Sequence, residues 1–158
     1  MKKNPITQEG FEKLKQTLNK LKTIDRIKII NDIKTAREYG DLKENAEYHA
    51  AKEAQYLLEK KIQELENKII NAQIVNNSEI HQHDKIFFGS MIELINLNDD
   101  KKYKYKIVGE DEADIKNNKI SIKSPLARAL LQKSEGDVIN LDLPNGTIKY
   151  KIIAIINA

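Results

Sequence analysis

Residues 38–48 read EYGDLKENAEY and join two long stretches in which apolar residues recur at helical spacing. The stripe before this segment consists of Phe11, Leu14, Leu18, Leu21, Ile24, Ile27, Ile30, Ile33 and Ala36. The stripe after it consists of Tyr48, Ala51, Gln55, Leu58, Ile62, Leu65, Ile69 and Ala72. Because only a few residues connect the two helices, we expect them to fold back antiparallel and bury their stripes against each other.

Both helices carry further signals in their sequences. Thr7 follows Pro5 and is the expected N-cap of the first helix, which the stripe extends to Gly40. The second stripe alternates steps of three and four residues, which is the pattern of a coiled-coil seam. Gln55 is the polar member of that seam, and we expect it to help fix the register of the two helices.

Four acidic residues surround the turn, namely Glu38, Asp41, Glu44 and Glu47. One interpretation is structural, since Asp41 followed three residues later by Glu44 matches a capping box at the start of the second helix. The other is chemical, because carboxylate oxygens are the ligands that Mg²⁺ prefers. Two carboxylates rarely hold Mg²⁺ tightly by themselves, so the tip would be half of a metal site. The pattern alone leaves both interpretations open.

The second half of the chain has a different periodicity. Residues 78–85 lack a periodic apolar face and are interpreted as a linker. From Ile86 the period changes to two, and the segments FFGSMIELINL and KKYKYKIVG flank a turn at residues 98–100, which indicates a hairpin. Ser124 and Pro125 begin a short helix, and Asn145-Gly146 is a strong hairpin-turn signal. Residues 86–158 therefore form a small α+β domain with a mainly antiparallel sheet.

Composition limits the function classes. The chain has 27 Lys and Arg against 24 Asp and Glu, and a net charge of +3 does not by itself indicate nucleic-acid binding. There is no cysteine, which excludes disulfides and thiol chemistry. No apolar run approaches the length of a membrane span, so we expect a cytoplasmic protein without a membrane partner.

The segment AREYGDLKENAEYHAAKE at 36–53 closely resembles the tip of the GreA/GreB family of bacterial transcript cleavage factors. Further segments also resemble that family: NAQIV at 71–75, FGSMIELINL at 88–97, IVGEDEADIKNNKISIKSPLARALL at 107–131 and EGDVINLDLPNG at 135–146. The resemblance covers nearly the whole chain. An 18-residue match placed between two long helices is more specific than a short motif.

The resemblance implies an architecture of three parts. Residues 1–77 would form a coiled-coil hairpin with its acidic tip near 37–48, residues 78–85 a linker, and residues 86–158 a domain similar to the FK506-binding proteins. The C-terminal domain would dock at the rim of the secondary channel of RNA polymerase, and the hairpin would enter that channel. We expect a monomeric accessory factor that is not itself an enzyme.

The resemblance also implies roles for individual residues. Asp41 and Glu44 match the acidic pair that holds Mg²⁺ together with the polymerase during cleavage of the 3′ end of backtracked nascent RNA. No cofactor is expected to bind the chain alone. Arg37 and Lys52 match basic positions that contact the RNA, although the family pattern has Arg where this chain has Lys52, so the bidentate fork is lost.

Contacts with the polymerase rim are implied for the start of the short helix, at Ser124, Pro125 and Arg128. Two other functions stay open. The C-terminal domain could act as a prolyl isomerase with the hairpin as a chaperone, or the protein could occlude the channel without stimulating cleavage. No aromatic-lined pocket pattern supports an isomerase, and a plug has no use for the acidic pair.

Four other features are interpreted structurally. Tyr39 and Tyr48 flank the acidic pair, and packing across the tip is favoured over contact with RNA bases. His81 and His83 lie in the linker without further ligand types nearby, which does not indicate a metal site. His49 is interpreted as solvated helix surface. Lysines 102, 104 and 106 alternate with Tyr103, Tyr105 and Ile107, as in a half-buried strand.

Overall fold

The computed structural model describes residues 3–75 and 85–156 of the chain. It divides into two compact units. The first holds Phe11–Ala72, and the second holds the residues up to Gly10 together with those from Gln73 onward. Most of the predicted linker, residues 78–84, lies outside the described residues, as do His81 and His83.

The first unit is a helical hairpin. Helix α1 spans Gln8–Lys20, α2 spans Arg26–Arg37 and α3 spans Ala46–Ile70. Lys22 pairs with Glu66 at 2.8 Å, and Arg26 donates two hydrogen bonds of 2.8 Å to Glu59. Residue numbers rise along one helix while they fall along the other, so the helices are antiparallel, as predicted. Thr7 caps α1 by accepting a hydrogen bond from the Gly10 N–H at 3.0 Å, which confirms that prediction.

A π-helical turn at Leu21–Asp25 connects α1 to α2 without a break. Three isoleucines that the apolar stripe includes are exposed: Ile24 (60%), Ile27 (56%) and Ile30 (50%). Ile29 instead packs against the buried cluster of the hairpin, and Ile33 and Ala36 are buried. The prediction that the three exposed isoleucines line the buried stripe is wrong, because a π turn accommodates one additional residue and shifts the phase of every later position.

The predicted seam of α3 is confirmed. Leu58, Ile62 and Leu65 are buried and pack with Leu21. Gln55, which lies on the tip side of these residues along α3, is half-buried. Burial of an apolar side chain of this size stabilises the fold by about 1.5–3 kcal/mol, so these residues supply much of the free energy that holds the hairpin together.

The second unit is built on a five-stranded sheet in the order β5-β4-β3-β7-β6. Its strands are β3 Met91–Asn96, β4 Lys102–Val108, β5 Lys119–Ser121, β6 Val138–Leu143 and β7 Gly146–Ile156. All neighbouring strands are antiparallel except β4 and β5, which are parallel. The predicted mainly antiparallel sheet and its two hairpins are confirmed, and Gly146 adopts φ +129° at the second turn.

Helix α4, at Pro125–Leu130, covers the apolar face of this sheet. Ala127 and Leu130 are fully buried against Ile92, Leu94 and Ile152. The Ser124 side chain accepts a hydrogen bond from the Ala127 N–H at 3.2 Å, which confirms Ser124 as the N-cap. On β4, Tyr103 and Tyr105 pack against the same core and stack with ring centroids 6.0 Å apart, as expected for a half-buried strand.

The N-terminal residues belong to the second unit rather than to the hairpin. Strand β1, Asn4–Ile6, pairs with β2, Ala72–Ile74, in a small sheet that the periodicity of these segments does not predict. The Glu112 carboxylate accepts hydrogen bonds from Gly109 N–H at 2.9 Å, from Thr7 N–H at 3.0 Å and from the Thr7 hydroxyl. These bonds explain why the observed grouping differs at the N-terminus from the expected domain 1–77.

Candidate functional site

The tip of the hairpin is a compact loop between Arg37 and Ala46. The N–H of Gly40 bonds to the Arg37 carbonyl at 3.3 Å, and Gly40 has φ +104°, a conformation that glycine adopts without a steric penalty. The Asn45 side-chain amide donates to the Ala36 carbonyl at 2.6 Å. This bond joins the end of α2 to the start of α3 and fixes the width of the loop.

Asn45 is the N-cap of α3. Its side-chain oxygen accepts a hydrogen bond from the Tyr48 N–H at 3.0 Å, and its backbone is extended with φ −88° and ψ 96°. The capping-box interpretation of Asp41 and Glu44 is therefore wrong, because the helix begins five residues after Asp41. Asparagine is a favoured cap residue, but Asn45 is followed three positions later by Tyr48 rather than by the acid of a capping box. The sequence therefore indicates a capping box at Asp41 and Glu44 more strongly than it indicates the cap that forms, at Asn45.

The two carboxylates do little for the fold. Asp41 is exposed, and its Oδ1 accepts a hydrogen bond from the Lys43 N–H at 2.9 Å, which closes a local turn. Glu44 is exposed and makes no hydrogen bond or ion pair within residues 3–75 and 85–156. Both line an open concavity of about 400 Å³. The other lining residues are Tyr39, Asn45, Ala46 and Glu47.

The donor set of this concavity suits a hard cation such as Mg²⁺, since it consists of carboxylate oxygens. Nevertheless, the part of the chain that the structure describes contains no group of three or more His, Cys, Asp or Glu side chains placed to hold a metal ion. Mg²⁺ demands octahedral coordination, which two carboxylates cannot complete. The residues therefore fit an ion whose remaining ligands come from water and another molecule.

The predicted RNA-contacting residues lie on one side of the hairpin. The Arg37 guanidinium lies 5.8 Å from the centroid of the Tyr48 ring. Lys52 is one helical turn beyond Tyr48 on α3, and residues four apart share a helix face. Its Nζ donates to the Gln55 Oε1 at 3.1 Å. Arg37 and Lys52 are both exposed, so the structure brings these two cations to the same side near the tip.

The aromatic residues at the tip have different surroundings. Tyr48 is half-buried: its ring lies edge-on to His49, with ring centroids 5.7 Å apart, and the Arg37 guanidinium of the opposite helix lies over it, which agrees with packing across the tip. Tyr39 is 70% exposed and lines the concavity beside Asp41, so it does not pack across the tip. His49 is exposed, as expected, and its Nε2 lies 3.0 Å from the Lys43 carbonyl oxygen.

The residues predicted to contact a polymerase begin α4, in the second unit. Pro125 and Arg128 are exposed, whereas Ser124, which caps the helix, is half-buried.

Within the described ranges, no helix is long and apolar enough to cross a membrane.

Two family models match the chain, one in each half. The family "Transcription elongation factor, N-terminal" matches residues 4–74, and "Transcription elongation factor, GreA/GreB, C-term" matches residues 81–157. The transcription elongation factor GreA of Alkalilimnicola ehrlichii is 47% identical over 155 residues, covering 98% of this chain and 98% of that protein. The GreA of Francisella tularensis subsp. novicida is 48% identical over 151 residues, covering 96% and 94% respectively.

A solved structure, that of GreA factor homolog 1 (Gfh1) of Thermus thermophilus, is 27% identical, with coverage of 99% of this chain and 100% of that chain and a TM-score of 0.43. The two family matches and the near-complete coverage by relatives at 47–48% identity place the chain among the transcription elongation factors. It belongs to the GreA/GreB family.

Proposed function

We propose that this protein binds RNA polymerase, inserts its hairpin into the secondary channel and stimulates the polymerase's own Mg²⁺-dependent cleavage of the 3′ end of backtracked nascent RNA. Arrested complexes would thereby resume synthesis. The protein is an accessory factor, since catalysis stays with the polymerase. A factor of this kind works where bacterial polymerase works, in the cytoplasm.

One observation carries this proposal: Asp41 and Glu44 are exposed at the end of a long helical arm and are not needed to begin α3. Asn45 caps that helix instead. Exposed carboxylates that the start of the helix does not need are available to another molecule. Their concavity also lies at the tip, which is the part of a hairpin that reaches farthest into a channel.

Asp41 and Glu44 would hold a Mg²⁺ ion jointly with ligands of the polymerase. When bound, such an ion lowers the pKa of coordinated water and stabilises the charge that develops on phosphate oxygens. The part of this chain is to supply anionic oxygens at a fixed position. The bond from Lys43 N–H leaves one Asp41 oxygen uncommitted, and the Asn45–Ala36 bond limits the movement of the loop that carries both carboxylates.

Arg37 and Lys52 would neutralise phosphates of the extruded RNA segment. They lie on one side of the hairpin, with Tyr48 between them. Lys52 supplies charge without the planar fork of arginine, so its contact with a phosphate is less directional. Ser124, Pro125 and Arg128 would contact the rim of the channel, because the resemblance assigns that docking role to the start of α4.

The test is a double substitution, Asp41→Asn with Glu44→Gln, assayed for Mg²⁺-dependent RNA cleavage in a purified backtracked polymerase complex. We expect cleavage to fall to the rate of polymerase alone while binding to the polymerase persists, because both substitutions preserve size and remove the anionic ligands. The matched control is Glu38→Gln with Glu53→Gln, which removes two exposed carboxylates outside the concavity. Full cleavage by the Asp41/Glu44 variant would refute the proposal.

A further inference from the structure

The five-stranded sheet has two edges, and they differ in how their outer sides are paired. The edge strand β5 is three residues long, and Asp114 pairs with Lys119 along its outer side through two backbone hydrogen bonds of 2.9 Å. Strand β6 forms the other edge, where it pairs with β7 on one side. Within residues 3–75 and 85–156, no strand or bridge pairs with the outer side of β6. This edge is therefore open to another chain.

The backbone groups that β6 directs outward are those of alternate residues. Asn140 lies opposite Lys149 of β7, and the Lys149 carbonyl accepts a hydrogen bond from the Leu97 N–H at 2.8 Å. Lys149 thus directs its backbone groups away from β6, so Asn140 and Lys149 form a non-hydrogen-bonded pair. Because bonded and non-bonded pairs alternate in an antiparallel ladder, the N–H and C=O groups of Val138, Asn140 and Asp142 point to the open edge. They present donors and acceptors at the spacing that an added strand requires.

Strand β6 lacks the features that protect many sheet edges from pairing. Native proteins commonly place lysine, proline or a β-bulge in such strands. Residues 138–143 read VINLDL, with Asp142 as the one charged residue, and their register against β7 is regular. Val138 is 52% exposed and Leu143 is 38% exposed, so both ends of the strand also present apolar surface. An open edge of this kind is a template for strand addition.

The inner face of the sheet sets one requirement on an added strand. Ile139 is buried, Leu141 packs against the same core, and α4 packs beside β6. Side chains of an added strand that lie next to Ile139 and Leu141 would extend this apolar surface. Cross-strand apolar pairs stabilise a sheet, so these side chains should be apolar.

The outer face sets a requirement on charge. Val138 lies opposite Lys151, and Asn140 lies opposite Lys149, on the exposed face of β7. Neither lysine makes an ion pair within the described part of the chain. The backbone of an added strand would lie about 10 Å from β7, which is two strand spacings. Lysine has a flexible four-carbon stem, so its ammonium group can pass over the short side chains of β6 and meet a carboxylate there.

We propose that β6 binds an extended segment of a partner protein, which adds an antiparallel strand to the sheet and alternates apolar residues on the inner face with acidic residues on the outer face. In this mode of recognition main-chain hydrogen bonds give affinity and alternate side chains give specificity. A second copy of β6 fits less well, because its one acid, Asp142, comes with two more lysines on the neighbouring strand. The proposal does not rest on the roles of Asp41 and Glu44.

The test uses the full-length protein and a fluorescently labelled, capped peptide in which valine alternates with glutamate, with anisotropy measured as protein is added. In the proposed arrangement the glutamates lie opposite Val138 and Asn140, so the glutamate N–H groups point to β6 and the valine N–H groups point away. We expect N-methylation of the glutamates to abolish binding and N-methylation of the valines to preserve it. An equal or greater loss on methylating the valines would overturn antiparallel strand addition.

The matched protein variants are Asn140→Pro and Asn140→Ala. Proline removes the outward N–H and is tolerated in edge strands, so the sheet should remain folded by circular dichroism while affinity for the peptide falls by at least about tenfold. Alanine keeps the N–H and should bind as the wild type does. Equal binding by the two variants would overturn the assignment of the site to β6.

The charge requirement has its own test. Lys149→Gln with Lys151→Gln should remove the preference for this peptide over one with glutamine in place of glutamate. Tighter binding of a peptide in which valine alternates with lysine would overturn the acidic partner. Sedimentation velocity of the full-length protein tests the other occupant, since self-association that Asn140→Pro abolishes would assign the edge to a second copy and overturn the proposed partner.

Discussion

The loop that presents Asp41 and Glu44 depends on Asn45, and the free energy of unfolding should show this directly. Asn45 makes two hydrogen bonds, one to the Tyr48 N–H as an N-cap and one to the Ala36 carbonyl across the loop. Loss of an N-cap costs typically about 1 kcal/mol, and loss of an ordinary hydrogen bond costs about 0.5–1.5 kcal/mol. We therefore expect Asn45→Ala to lower the free energy of unfolding of the hairpin by about 2 kcal/mol.

Urea unfolding followed by far-ultraviolet circular dichroism measures this change, because most of the helical signal comes from the hairpin. With an m-value of about 2 kcal/mol/M, the midpoint should fall by about 1 M. Asn45→Ser separates the two bonds, since serine keeps the cap but lacks the amide that reaches Ala36. It should lose about half as much, about 1 kcal/mol.

The matched comparison is Asp41→Ala with Glu44→Ala, because asparagine and glutamine would still satisfy a capping box. Asp41→Ala loses the exposed hydrogen bond from the Lys43 N–H, and Glu44 makes no bond in the described part of the chain. The free energy of unfolding should therefore fall by only about 0.5 kcal/mol, less than for Asn45→Ala. The assignment of Asn45 as the cap would be refuted if the acidic pair proved the more costly to replace. That result would restore the capping-box interpretation and weaken the proposed metal-binding role.

Three further predictions concern the two units separately. Deleting Thr23 from the π turn should leave the free energy of unfolding of the hairpin unchanged or higher, because the turn becomes α-helical while Leu21 and the later buried positions stay in phase. The control is deletion of Lys60 from α3, which contains no π turn. That deletion should rotate half of the seam by about 100° and clearly lower the urea midpoint. Gly10→Ala should destabilise the second unit by about 1–3 kcal/mol in spite of the higher helix propensity of alanine, because the new Cβ would clash with the Glu112 carboxylate. A double-mutant cycle with Glu112→Ala should show coupling between the two substitutions, and additive effects would contradict the contact. Burial raises the pKa of the Tyr150 hydroxyl above its usual value of 10.0. The contribution of this hydroxyl to stability is therefore complete below pH 10.0 and is lost as the pH rises through the folded-state pKa. Tyr150→Phe should make the free energy of unfolding less dependent on pH above about 10, and an unchanged pH profile would contradict this.

Where the signal was local and periodic, the amino-acid pattern was sufficient to predict the secondary structure and the order of the elements. The seam from Leu58 to Leu65 is regular and uninterrupted, so α3 and its buried face followed directly. Ser124 with Pro125 marked the start of α4, and Asn145-Gly146 marked the last hairpin turn, because these residues act through their own backbone conformations. The tip and its carboxylates were likewise visible from residue type and position.

Where two residues or two helix faces could serve the same structural role, the choice between them became visible only in the folded chain. Asp41 and Asn45 are both good cap residues, and the bond from Asn45 to the Ala36 carbonyl is available only once the two helices lie side by side. The phase of α2 after the π turn is set by the surface of α3 that it must cover, which no pattern within α2 contains. Likewise, Glu112 meets Thr7 across 105 residues of chain, and the open outer side of β6 arises from the order of the strands in the sheet. Periodicity is a property of neighbours along the chain, whereas these features arise from residues that only the folded chain brings together.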